Sequence, residues 1–237
     1  MLNLLAIVPV LIGLAATPAA AEDSSGPCSP VAGLEAGEPI ICTAIGEAGG
    51  QPLSVRLTWD ILADTDELHI TRVETATFGN APAIAVFDDL DLRAPLSMGE
   101  NGFEFVDFTF DGHMDFRLIE FLPAGPNAVY MNFFYDHEAG RHDVADSLNL
   151  LTAPEFDLDA ETVISTWRSD AATHGRDEFA WDGRSLVLLK RTVTVLDAHG
   201  GCMMTAYEPR GKILAEDIAF AENPEDLLTE LYEAPCE

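Results

Sequence analysis

Apolar and polar residues alternate with period two along much of the chain from Leu53 onward. That spacing turns one face of a strand toward a core and leaves the other in water. Residues 53–59, 68–75, 103–110, 115–121 and 129–135 carry the pattern, followed by 163–168, 178–181, 185–189 and 192–196. Turn signals separate these runs: Pro123-Ala-Gly-Pro126, Glu138-Ala-Gly140, Asp182-Gly183 and His199-Gly-Gly201. Asp182-Gly183 reads as the centre of a type I′ hairpin turn, and Gly140 as the left-handed residue of a longer one. Short strands at this spacing predict an all-β fold, a small propeller-like or sandwich-like array of antiparallel hairpins. A short helix is expected near the C-terminus. Asn223 would cap it, Pro224 fits its first position, and Glu225 and Asp226 suit the positive end of its dipole. Leu227, Leu228 and Leu231 would then share one face.

The ends of the chain address the compartment. Residues 4–21 are apolar and uncharged, are interrupted by Pro9, Gly13 and Pro18, and end in Ala19-Ala20-Ala21. An apolar core followed by small residues reads as a signal peptide over 1–21, although this one carries no Lys or Arg. Residues 22–237 then form a single all-β domain, with a loose Ser/Gly/Pro-rich lead-in over 22–39. Cys28, Cys42, Cys202 and Cys236 are an even set with no Cys-x-x-Cys pair, so two disulfides are expected in an oxidising compartment, periplasmic or secreted. Of the three possible pairings, the local one, Cys28 with Cys42 and Cys202 with Cys236, is favoured. Each bridge would contribute roughly 3–4 kcal/mol in the loop-entropy picture. No cysteine follows the apolar run, so a lipid anchor is not indicated.

Charge narrows the function. With 41 Asp+Glu against 12 Lys+Arg, the formal net charge is −29. Such a surface does not neutralise phosphates, which excludes nucleic acid as the ordinary partner and disfavours docking on anionic lipid. Disorder does not follow, because 48% of the residues are hydrophobic and only 22% charged.

The most specific motif is Asp107-Phe-Thr-Phe-Asp111-Gly-His-Met-Asp115. Oxygen ligands at every second position, with Gly at the sixth, make a calcium loop of the EF-hand type. Asp107, Thr109, Asp111 and Asp115 would supply side-chain oxygens, His113 its carbonyl, and Gly112 the sharp turn. The twelfth position is Leu118, so the usual bidentate Glu is missing, and the flanks are strand-like. The expectation is a structural Ca2+ at the tip of a β-hairpin spanning 103–121.

The loop and its sequel resemble a family. The Asp107–Asp115 loop is followed by Tyr130-Met-Asn-Phe-Phe-Tyr135-Asp136, Gly140, Leu148–Leu151, Pro154-Glu-Phe156-Asp157, Val163–Trp167 and Phe179-Ala-Trp181-Asp-Gly183-Arg-Ser-Leu186. This order, over about residues 103–190, resembles the exported, calcium-binding, β-propeller-like immunity proteins of bacteria-killing type IV secretion systems. The resemblance implies a periplasmic protein that inhibits a peptidoglycan hydrolase. A basic, lysozyme-like hydrolase would be steered to an acidic inhibitor. Thr109, and the lack of an anchoring cysteine, depart from the family pattern. The cationic residues Arg168, His174 and Arg176, around the turn 169–177, are the candidate contact with such a partner.

Other readings have less in the sequence. Gly-x-Ser-x-Gly and His-Glu-x-x-His are absent, so no catalytic residues are assigned and an enzyme is not expected. His137 and His142, with Asp136, Glu138 and Asp143, flank a turn that offers a transition-metal alternative. Trp59, Trp167 and Trp181 would serve a carbohydrate- or wall-binding module if their faces were free, but tryptophans on strands are more often packing residues.

Overall fold

The structure is a computed structural model that describes residues 28–29, 34–35, 37–45, 52–62, 64–65, 67–77, 81–96, 102–121, 128–197 and 199–236. The leader assigned to 1–21 and most of the lead-in lie outside the described residues. Among the described residues the strands form three open, antiparallel sheets. The first holds β1 (Ile40–Ile45), β2 (Pro52–Leu62), β3 (Glu67–Ala76), β4 (Ala85–Phe87) and β5 (Leu92–Pro95), with β4 and β5 sharing one edge of β3. The second is the meander β6 (Phe103–Val106), β7 (Asp115–Phe121), β8 (Val129–Asp136) and β9 (Arg141–Val144). The third runs in chain order through β10 (Glu155–Asp157), β11 (Thr162–Arg168), β12 (Thr173–Asp182), β13 (Ser185–Leu196), β14 (Cys202–Pro209) and β15 (Leu228–Pro235). The expected all-β class is what forms, in its sandwich-like version.

Period-two burial explains the layers. Leu53, Val55 and Leu57 of β2 point inward with Leu68 and Ile70 of β3. Between β2 and β3 the register shifts, so Thr58 pairs with Arg72 and Trp59 with Ile70. Thr71 is the extra residue, and this bulge hands the inward face to Val73 and Thr75. One core joins these residues to Phe103, Phe116, Leu118 and Phe133 of the second sheet. A second core gathers Phe108 and Phe134 with Leu148, Val163, Phe179, Leu186 and Leu188. Strand β8 thus feeds both cores from adjacent residues, Phe133 to one and Phe134 to the other. The second sheet is the shared layer between them.

The C-terminal helix is shorter than its sequence suggests. After the short helix α1 (Asp146–Asn149), the C-terminal helical segment consists of α2 (Ala215–Ala219) and one 3-10 turn (Pro224–Leu227). Asn223 and Pro224 do stand at the start of that turn, but the leucines are not a helix face. Leu228 is buried as the first residue of β15, while Leu231 is 48% exposed. A free edge on β14 offers a row of backbone partners, and pairing there outweighs propagation of an isolated helical turn. The β12–β13 turn also departs from expectation. Its two loop residues are Gly183 and Arg184, and of these only Gly183 has a positive φ (+68°). A type I′ turn needs both residues there. Gly140 is left-handed as expected, at φ +64°. Disulfides join Cys28 to Cys42 and Cys202 to Cys236, leaving no free cysteine.

Candidate functional site

The chain from β6 to β7 turns back on itself through two left-handed residues, Phe110 (φ +60°) and Gly112 (φ +83°). Asp107 fixes that curl. Its Oδ1 accepts the N–H of Asp111 at 3.1 Å and its Oδ2 the N–H of Gly112 at 2.8 Å. Phe108 anchors the loop in the second core. Asp115, the first residue of β7, is fully buried beneath it. Its Oδ2 accepts the N–H groups of Phe108 and Thr109, at 3.1 and 3.0 Å, and the Thr109 hydroxyl at 3.0 Å. Its Oδ1 accepts the N–H of Tyr135 on β8 at 2.8 Å. Burial pushes the Asp115 carboxyl up to about 8, while the donors from Tyr135 and Thr109 pull the other way.

Asp111 faces outward. Its Oδ1 accepts the N–H of His113 at 2.7 Å, and its Oδ2 lies 2.7 Å from Nε2 of His137, in the turn between β8 and β9. The His113 ring stacks on Tyr135 at 4.7 Å, nearly parallel, and meets His137 edge-on at 4.3 Å. Among the described residues, one group of three His, Cys, Asp or Glu side chains brings its ligand atoms within 4.8 Å of one another: Asp111, His113 and His137. Of the five expected calcium ligands, Asp107, Thr109 and Asp115 stay close, the Thr109 hydroxyl lying 3.5 Å from Asp107 Oδ1 and 3.0 Å from Asp115 Oδ2, while Asp111 turns toward His137. Asp107 and Asp115 lie outside the group of three, Thr109 donates to Asp115, and His113 contributes a ring nitrogen. As arranged, both Asp115 oxygens face protein donors, so Asp115 would have to release one to join the six to eight oxygens that Ca2+ takes.

The histidine pair of the β8–β9 turn separates. His142 is buried, with Nε2 2.9 Å from the Met114 carbonyl, and burial lowers its pKa. The N–H groups of Ala139 and then Glu138, with Arg184 paired alongside, hold the Asp136 carboxyl below the ordinary range. His142 meets the 107–115 loop at the Met114 carbonyl, whereas His137 meets a side chain there, that of Asp111. Nothing in the local sequence signals this, since 26 residues separate it from Asp111.

Arg168, His174 and Arg176 do share a face near the β11–β12 turn, because Arg168 pairs with His174 in register and Arg176 is two residues further. The two arginines have their donors engaged at home. Arg168 donates to the carbonyls of Asp170 and Ala171, and Arg176 pairs with Glu178. On the opposite face lies a groove of about 530 Å³ that sequence reasoning missed. Its floor is Asp177, which receives Nε and a terminal nitrogen of Arg191 at 2.7 and 2.6 Å and the indole N–H of Trp167 at 2.9 Å. Trp167 lies flat over Gly175, where a Cβ would come within 2.0 Å of the ring, and the Arg191 guanidinium sits 5.1 Å from it. Trp181 packs on Phe108 and Phe134, and Trp59 donates to the Glu38 carbonyl against the first core. All three tryptophans pack against neighbouring residues, and all three keep part of their surface exposed.

No protein-family model matches the chain, and no curated protein does. Among solved structures, a Xanthomonas type IV secretion system related protein matches with TM-score 0.55 and 14% identity, over 74% of this chain and 97% of that one. At that identity the likeness is one of fold.

Proposed function

We propose that this chain is an extracytoplasmic binding protein working alongside a type IV secretion system, and that it acts as an immunity-type inhibitor of a peptidoglycan-cleaving, lysozyme-like enzyme. The likeness of fold carries the reading, because it takes in nearly the whole of a secretion-system-related protein. The two disulfides are consistent with an extracytoplasmic location, for which we favour the periplasm. A formal charge of −29 favours a basic partner and would speed encounter at low ionic strength. In this reading the protein is a binder and not an enzyme. The Arg168, His174 and Arg176 face is its contact, with Arg176 exchanging Glu178 for an acidic group of the hydrolase. Titration against purified basic lysozyme-like hydrolases tests this. A complex that tightens as salt is lowered, suppresses lysis and weakens in Arg168→Ala/Arg176→Ala supports the reading. No binding at low salt overturns it.

Calcium is a separable part of the same reading. Asp107, Asp111 and the His113 carbonyl would hold the ion, with Thr109 and Asp115 joining only if Asp115 releases a donor and Asp111 leaves His137. A melting temperature that rises with Ca2+, falls with chelator and loses both responses in Asp107→Ala supports it. A melting curve indifferent to Ca2+ removes it.

A further inference from the structure

The geometry points to a site for a divalent transition-metal ion of the Zn2+ class at Asp111, His113 and His137, stapling the 107–115 loop to the β8–β9 turn. This goes beyond the inhibitor reading and stands whether or not that reading holds. Two imidazoles and one carboxylate are the donor set that borderline-soft ions prefer, whereas Ca2+ takes oxygens. Their ligand atoms lie within 4.8 Å of one another without any rearrangement of the backbone.

Three further features aim the set. Nδ1 of His113 is shielded from water and has no hydrogen-bond partner. It approaches Asp111 Oδ1 to 3.4 Å, but not in an orientation that makes a hydrogen bond. An unsatisfied ring nitrogen pointing at a carboxylate is what a metal ion would complete. The orientation of each donor is also fixed by its surroundings. The Asp111 carboxylate is held by the His113 N–H at 2.7 Å, and the His113 ring lies against Tyr135 at 4.7 Å. Such outer contacts are the usual support of metal ligands. Finally, His137 and His113 remain about half exposed, so the fourth position opens to solvent or to a donor from a partner. Three protein ligands with one open position is a common arrangement for Zn2+.

The ion would enter between Asp111 Oδ2 and His137 Nε2, now 2.7 Å apart, and part them so that each lies about 2.0–2.2 Å from the metal. It would compete with Ca2+ for Asp111, but not for Asp107.

The test is calorimetric titration of the chelator-treated, tag-free full chain with Zn2+, followed by Co2+ loading read from its visible ligand-field bands. One Zn2+ per chain is expected, still saturable when Ca2+ is in excess. His113→Ala, His137→Ala and Asp111→Asn should each weaken it by on the order of a hundredfold, the upper end of what losing an outer-shell partner alone costs. His199→Ala, in the β13–β14 turn of the third sheet, should leave it unchanged. Asp107→Asn, which keeps an acceptor for the loop N–H groups but removes the charge, should weaken a Ca2+ response while sparing Zn2+, which separates failure here from failure of the calcium reading. Absence of saturable binding, or binding that survives His137→Ala in a folded variant with a wild-type circular dichroism spectrum, overturns the site.

Discussion

Asp115 and Asp177 are both buried acids in a strongly acidic protein, with 0% and 3% of their surface exposed, and the chain satisfies them in opposite ways. Asp115 is surrounded by neutral donors: three backbone N–H groups and one hydroxyl, drawn from the loop above it and the strand beside it. Asp177 is paired with a guanidinium and an indole on the two neighbouring strands, β13 and β11. The first arrangement shapes backbone. It ties the 107–115 loop to β8 and so delivers Asp111 and His113 to the place where His137 stands. The second shapes a surface, holding Trp167 and Arg191 as the floor of a groove. Backbone donors cannot leave without unfolding the loop, whereas an ion pair can be replaced as a unit.

That contrast can be broken experimentally. The largest effect is expected from Asp115→Ala, which strips the acceptor from four donors. At about 1 kcal/mol per bond, the loss is about 4 kcal/mol by urea denaturation. Amide exchange at Phe108, Thr109 and Tyr135 should accelerate while the third sheet stays protected. Arg191→Leu should cost about 3 kcal/mol, because it leaves Asp177 buried beside only the indole. Unlike Asp115→Ala, it should be largely repaired by a second apolar substitution, Asp177→Leu, measured as a double-mutant cycle. Gly175→Ala is expected to cost about 2 kcal/mol by forcing Trp167 off the strand. Trp167→Leu in the same chain should suppress most of that loss.

Much of the fold was legible in the chain. Alternation located β2, β3, β7 and β8, and the Asp107–Gly112 spacing correctly marked a tight turn built by an aspartate and a glycine. What spacing could not reveal was direction. Every second residue of the loop was expected to face one ion, but Asp115 opens strand β7 and turns into the core, while Asp111 turns outward. The choice is made by Tyr135, 20 residues on, whose N–H claims Asp115. His137 was noticed, but with the wrong companion. His142 is two residues past Gly140, yet it points to Met114. The partners are set by the register of β7, β8 and β9, which no local pattern contains. The edge strands β1 and β15 were missed for a similar reason. Their identity depends on the strand waiting beside them more than on their own alternation.

A third carboxylate sharpens the comparison with the smallest effect. Glu74 on β3 is partly exposed and receives Arg72 at 2.7 Å and Arg56 at 2.9 Å. The hydrogen bond from Arg72 is the leading cause that holds its pKa below the ordinary glutamate value, with Arg56 adding to it. A depressed carboxylate contributes stability above its unfolded pKa and loses it as pH falls through the folded one. Glu74→Gln should therefore be less stable than the parent at neutral pH, by under about 1 kcal/mol after solvent screening. The gap should close on acidification below the ordinary glutamate range, as read from melting temperatures across a pH series.

The bond between Cys202 and Cys236 closes a stretch that includes α2, the exposed Phe220 and all of β15. A hydrolytic nick near Phe220 would then cut the polypeptide without releasing either piece. The clipped molecule would migrate as one species on a gel run without thiol and as two once reduced. In a compartment rich in proteases, the last strand would outlast the integrity of its own backbone.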